Sequence, residues 1–350
     1  MEKQPKPYKK LRIAFLCLCI AFVVLTTSGV IGFFSLFRAY DGKIPVISGE
    51  WKRTDINALP TPNAELFDAA LSKGVDYYET GEIKEVPIYE QNKIDRFIIS
   101  MVIVVQNGSI TAEERQTDMI FIASFNQLLQ QFTIVSVARD TIVPFGDEGW
   151  KRINTAYARG GAGQLINTIN DLFGLDIQNY VLTGTDELAV LADDVKGIPA
   201  TLSEGEAAYL SETLNTPVSA GKQQLSGAQA VALLLDRTSD DKGDLGRAER
   251  QLDVVLDTFE YLQDSFDSSF LYPFCRTVFK NVRTNLDFET LRGVAYEMTV
   301  SDDLSFRKVR LPFDDSYTEL NLDGAYALLP EFEKNRILLQ QALYGKEIAE

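Results

Sequence analysis

The chain has 350 residues with three cysteines and no histidine, and its 34 basic residues face 50 acidic ones for a net charge of −16. Without imidazole the usual zinc enzymes and Ser-His hydrolases are ruled against, and three cysteines build neither a disulfide framework nor a thiolate metal site. So acidic a surface also argues against nucleic acid as a partner, so any anionic ligand needs a local basic cluster or a bridging cation. The chemistry left to this chain runs on carboxylates, guanidiniums and hydroxyls, with or without a hard metal ion.

Lys3, Lys6, Lys9, Lys10 and Arg12 precede an uncharged run from Ile13 to Phe37, long enough to cross a hydrocarbon core as one helix. The positive-inside rule makes residues 1–12 a cytoplasmic tail and residues 13–37 a transmembrane signal-anchor, with everything after Arg38 extracellular. A cleaved signal peptide is the competing reading, but the run is too long for its apolar core and no small-x-small cleavage site follows. Residues 1–40 hold six Lys/Arg and one acid, which leaves 28 basic against 49 acidic residues outside.

Residues 38–95 read as a juxtamembrane and small accessory region. Tyr40 to Pro60 acts as a spacer, Thr61-Pro62 caps a helix through Ser72, and Glu82 to Tyr89 reads as an edge strand. Stronger β patterns follow at Arg96 to Val105, Asp118 to Ser124 and Phe132 to Ala138, the last two joined by the hairpin-length Phe125 to Gln131. Gly163 to Phe173 has helical spacing and stops at Gly174, as a helix with a glycine C-cap does. Ile177 to Leu182 is predicted as a strand, Thr185 to Val195 as a helix capped by Thr185, and Ile198 to Leu202 as a strand. Leu225 to Leu235 is an apolar helical run, and a helix is expected from Asp244 to about Leu262. Ser269 to Val300 reads as mostly helical, Phe306 to Pro312 as a strand and Leu328 to Tyr344 as a closing amphipathic helix. Alternating strands and helices make residues 96–350 one extracellular α/β domain, a layered α-β-α arrangement about a central mixed sheet.

Charge concentrates at two places. The apolar run Ile134, Val135, Val137 stops at Arg139-Asp140, Lys151-Arg152 follows, and the Gly160-Gly161 pair opens a helical segment. Ligands of open α/β sheets collect at the carboxyl ends of strands, so Arg139 and Asp140 read either as a ligand site or as a surface pair capping the strand. The second place is Asp236-Arg237 with Asp244 to Gln251. Its three arginines, Arg237, Arg247 and Arg250, read either as a solvated face paired with Glu249 and Asp253 or as an anion site.

In order along the chain stand QTDMI with Asp118, SVARDTIVPF with Arg139 and Asp140, and RINTAYARGG from Arg152 to Gly161. LFGLDIQNYV, LSGAQA and DLGRAERQ from Asp244 to Gln251 follow. Six such pieces after a signal-anchor resemble the LytR-CpsA-Psr family of bacterial cell-envelope proteins. The resemblance runs from about residue 96 to 262, and weakly to the C-terminus through NLDGAYALLP. It implies a phosphotransferase that moves a glycopolymer of teichoic acid or capsule type from a polyprenyl pyrophosphate carrier onto peptidoglycan, at the outer face of the cell membrane.

The resemblance also implies roles. Asp118, with a second acid upstream, would hold Mg²⁺ on the pyrophosphate, but the upstream position carries Gln106-Asn107. Two arginines are usual after the LSGAQA helix; here the positions are Leu235 and Arg237. Arg152 stands where lysine is usual, keeping the charge but not the donor geometry. The pyrophosphate-binding set is then Arg139, Arg152, Arg237, Arg247, Arg250 and Gln251. Arg139 is expected to be catalytic, and Asp140 and Asp244 are the candidates to take the acceptor's proton. The Ala228 to Leu235 face would line a slot for the lipid, although a packed core produces the same residues. The missing acid and arginine keep two other readings open: a non-catalytic polyprenyl-phosphate-binding scaffold or regulator, and a polyprenyl pyrophosphatase in which water replaces the sugar hydroxyl.

Overall fold

The computed structural model describes residues 44–52, 85–111, 115–145, 149–240, 243–265, 280–286, 304–322 and 325–345, with the single residues 278 and 290. The expected tail and membrane span, the helix at residues 61–72 and most of the helical stretch at residues 269–300 lie outside the described residues. Among the described residues no helix is long and apolar enough to cross a membrane.

Among the described residues six strands form the central sheet: β3 (Ile98–Gln106), β4 (Thr117–Asn126), β5 (Gln131–Val137), β8 (Asn179–Gly184), β11 (Arg283–Thr284) and β12 (Ser305–Leu311), in the order β11-β8-β3-β4-β5-β12. β3 pairs antiparallel with β4 and β4 with β5, whereas β8 lies parallel to β3 and β12 parallel to β5. The sheet is therefore mixed. One of its edges collects the carboxyl ends of β3, β5, β8 and β12 together with the amino end of β4.

The period-two alternation of these strands divides their side chains between two cores. Val102, Val104, Ile120, Ile122, Val135, Val137 and Leu311 face one side, under α1 (Asn154–Phe173) and α6 (Phe332–Tyr344). Met119, Phe121, Ala123 and Ile134 face the other. They lie under α2 (Thr185–Asp194), α3 (Glu204–Thr213), α4 (Gly227–Leu235) and α5 (Asp244–Ser265), with a separate hairpin of β9 (Ile198–Leu202) and β10 (Gly221–Leu225). Side chains as enclosed as Val102, Ile122 and Val135, each at 0% exposure, contribute about 1.5–3 kcal/mol apiece. Ala230, Leu233 and Leu234 of α4 are part of this second core, so that stretch of the anticipated lipid-lining face is packed.

Several elements differ from the sequence reading for local reasons. The Gly160-Gly161 pair does not open a helix. α1 already runs from Asn154, and Gly161, at φ 67, is a kink inside it. The kink lets residues 85–88 cross the helix: Val86 N–H donates to Gly160 O at 3.0 Å, and a Cβ on Gly163 would fall 1.8 Å from the Val86 carbonyl oxygen. Thr185 is not a cap but the first helical residue, its hydroxyl accepting from Gly108 N–H. The α4 helix begins after Leu225, capped by Ser226 in a capping box with Gln229. Leu328 is not helical: β14 (Ala325–Pro330) pairs antiparallel with β13 (Tyr317–Leu322), and the helix starts at Phe332. Ile88–Tyr89 (β2) pairs with Val46–Ile47 (β1), and Ile142–Pro144 (β6) with Trp150–Arg152 (β7).

Candidate anion-binding site

Asp118 stands at an irregularity in the sheet. Val105 pairs with Met119 and Gln106 with Thr117, so Asp118 is the extra residue of a β-bulge on β4. A bulge re-aims the side chain it carries. The backbone groups it disrupts are satisfied locally, because the Thr117 hydroxyl donates to Val105 O at 2.6 Å and accepts from Met119 N–H at 3.2 Å. Sequence reasoning passed over Thr117, since a threonine opening a strand looks like ordinary β composition.

Three guanidiniums from three segments surround the Asp118 carboxylate. Arg139, two residues past the end of β5, donates from Nη1 to Oδ1 at 2.5 Å. Arg237, just beyond α4, donates from Nη2 to Oδ2 at 2.6 Å, and Arg247, in the first turn of α5, brings Nη1 to 3.8 Å from Oδ2. Burial raises the Asp118 pKa, but the charges of Arg139, Arg237 and Arg247 and the Arg139 hydrogen bond outweigh it, so the group sits below the ordinary aspartate value. Arg237 is the most open of the three, with 38% of its side chain exposed, whereas Arg247 is held at 3%.

Behind this cluster Asp140 is buried at 3% exposure. Its Oδ1 lies 2.9 Å from Arg152 Nε and 3.5 Å from Arg139 Nε. Arg152, at the end of β7, also donates to the Tyr326 carbonyl at 2.8 Å, and Leu328 N–H donates to Asp140 O at 2.9 Å. The β6–β7 and β13–β14 hairpins thus hold Asp140, which in turn orients Arg139.

The other expected residues are placed elsewhere. Arg250 donates to Glu206 at 2.6 Å, to Asp236 O at 2.9 Å, to the Ser239 hydroxyl at 3.0 Å and to Asp240 at 2.6 Å. It ties the loop after α4 to α3. Gln251 donates to Leu234 O at 2.9 Å inside the core. Asp244 opens α5, and its side chain lies outside the described residues. Leu235, at the position of the absent arginine, packs against the second core.

Gln106 is buried at 1% exposure at the end of β3. It accepts from the Tyr157 hydroxyl at 3.0 Å and donates from Nε2 to Ser109 O at 2.8 Å. A carbonyl can only accept, which fixes the amide's orientation. Tested against a hard divalent cation, this donor set does not fit. Both oxygens of Asp118 are engaged by guanidiniums, and Gln106 is neutral with both of its amide atoms in use. The adjacent Asn107 keeps a buried Oδ1 without a hydrogen-bond partner. One uncharged oxygen does not offset the repulsion of three neighbouring guanidiniums for Mg²⁺.

Residues 84–339 match the family described as LytR_cpsA_psr. The chain is 28% identical over 231 residues to the polyisoprenyl-teichoic acid–peptidoglycan teichoic acid transferase TagU of Enterococcus faecalis, covering 65% of this chain and 74% of that one. It is 23% identical over 247 residues to the corresponding transferase TagV of Bacillus subtilis, covering 68% of this chain and 63% of the relative's length. In fold it is similar to the LytR-CPS2A-psr family protein YwtF (TagT) with bound octaprenyl pyrophosphate lipid. That likeness has a TM-score of 0.55 at 16% identity, over 73% of this chain and 94% of that one.

Proposed function

The chain belongs to the LytR-CpsA-Psr family, and from that premise we propose that it is a phosphotransferase attaching an anionic glycopolymer, carried on a polyprenyl diphosphate, to peptidoglycan. The observation that carries the reading is the meeting of Arg139, Arg237 and Arg247 on one carboxylate at the carboxyl edge of the sheet. Planar guanidinium forks hold the non-bridging oxygens of a diphosphate bidentately, and charge grows on those oxygens during transfer. A diphosphate arriving at the edge shares the guanidiniums gathered on Asp118, Arg237 turning first because it is the most exposed.

In the transfer, a sugar hydroxyl oxygen of peptidoglycan attacks the glycan-side phosphorus. The bond from that phosphorus to the bridging oxygen breaks, and the prenyl monophosphate leaves with the electron pair. Asp140 is too enclosed to meet the acceptor and serves to position Arg139 and Arg152. We assign the proton to Asp244, which opens α5 one turn before Arg247. The sequence reading of a signal-anchor at residues 13–37 places this chemistry beside the membrane that holds the carrier.

The test is transfer in vitro: the full-length chain in detergent, a lipid-linked glycopolymer donor and isolated peptidoglycan, with polymer attached to the wall as the readout. Attached polymer is expected, and its absence with donor in excess overturns the enzyme reading. Gln106-Asn107 and Leu235, where the family resemblance implies an acid and an arginine, favour one second reading, a carrier-binding scaffold without catalysis. Under it the same donor binds but neither polymer transfer nor prenyl monophosphate release is seen.

A further inference from the structure

The mismatch between this cluster and a divalent cation has a chemical meaning of its own. At the end of β3 an amide does work that a carboxylate cannot: Gln106 Nε2 donates to the Ser109 carbonyl, and an aspartate or glutamate there would set oxygen against oxygen. Ser109 belongs to a turn that is stitched to α2. Gly108 N–H donates to the Thr185 hydroxyl at 2.8 Å, Ile110 N–H to Glu187 at 2.9 Å, and the Ser109 hydroxyl to Glu187 at 2.8 Å. Tyr157 of α1 closes the other end of the amide. Gln106 therefore bridges both helical layers through one side chain and is committed to the protein rather than to an ion.

The local field agrees. Arg139, Arg237 and Arg247 converge on one carboxylate, an arrangement that draws the oxygens of a diphosphate and repels a further cation.

We propose that this protein binds its prenyl diphosphate without a divalent cation, the guanidiniums doing alone what metal and guanidiniums would share, because Gln106 has closed the position that a second metal carboxylate needs. The proposal rests on the reading of the cluster as a prenyl diphosphate site. It is tested on the full-length chain in detergent by calorimetric titration with geranylgeranyl diphosphate, once with EDTA and once with MgCl₂.

The expected result is a Kd no tighter with Mg²⁺ than with EDTA. A folded Gln106→Asp variant should instead bind about tenfold tighter with Mg²⁺, the gain a second hard oxygen ligand brings. Binding by the parent that requires Mg²⁺ overturns this proposal and leaves the function standing. No binding under either condition overturns both. A folded Gln106→Asp variant that stays indifferent to Mg²⁺ removes Gln106 as the cause. Because that variant can disturb the Ser109 turn, Mn²⁺ paramagnetic resonance on the parent with the same diphosphate supplies an independent reading. Its spectrum should match that of Mn²⁺ and diphosphate without protein, and a protein-immobilised Mn²⁺ signal overturns the proposal.

Discussion

Arg247 and Arg250 lie three residues apart on the same helix and do opposite things. Around Arg250 one guanidinium meets three carboxylates, Glu206, Asp236 and Asp240, and its donors are spent on them and on the Asp236 carbonyl. Around Asp118 one carboxylate meets three guanidiniums, Arg139, Arg237 and Arg247. The first assembly is closed by an excess of anions and holds α3, α5 and the intervening loop together. The second gathers three cations on one carboxylate at the carboxyl edge of the sheet. Counting arginines does not separate a brace from an anion site; the local balance of charge does.

The largest expected effect breaks the brace. Arg250→Ala leaves the fully buried Asp236 and the half-buried Glu206 without their guanidinium, and should cost about 3–5 kcal/mol in chemical denaturation. Its folded fraction should still bind prenyl diphosphate with the parent's Kd. A variant that stays stable but loses binding would move Arg250 into the site.

Next, Arg139→Ala should lower polymer transfer by about 10²–10³, the cost of one preorganised donor on a developing oxyanion. Two guanidiniums remain on Asp118, so the melting temperature should shift little. Unchanged transfer in this variant would end the role assigned to Arg139.

A third change sharpens the link between the bulge and the site. Thr117→Val removes the hydroxyl bonds to Val105 and Met119, costing about 1–3 kcal/mol in stability. Transfer should fall as well, since Asp118 is no longer aimed. A stability loss with normal transfer would show that the bulge does not set the site.

The smallest effect is in acid. Burial raises the pKa of Glu206 and Asp236. Hydrogen bonds from Ser203 and Arg250 to the former, and from Ser239 and Thr238 to the latter with Arg250's charge, bring both below their ordinary values of 4.5 and 3.8. Folded values below unfolded ones contribute stability that is fully present above those ordinary values and is lost as pH falls through the lowered ones. Stability from this pair should be flat through neutral pH and fall only in acid, and Arg250→Ala should shallow that acid limb.

Much of this arrangement was legible in the residues. The alternation of strands with helices told of a layered α/β domain, and the apolar run ending at Arg139 placed that arginine at a carboxyl edge. The β13–β14 hairpin was missed although Asp323-Gly324, a strong hairpin signal, lies between its strands, because the apolar Leu328-Leu329 run continues smoothly into the amphipathic pattern of α6. Arg247, Arg250 and Gln251 could not be told apart, since helical spacing of three and four puts them on neighbouring positions of one face.

Composition and pattern alone therefore bounded the side chains on offer and determined the layers, because an absent histidine, a charge balance and a hydrophobic period are properties of the chain itself. Tertiary structure alone decided which arginine meets which acid. That choice depends on a bulge turning Asp118 outward, on a loop closing over Arg250 and on hairpins sealing Asp140. Each of these is a contact between different elements of the fold, where Coulomb energy is set by distances that no local pattern encodes.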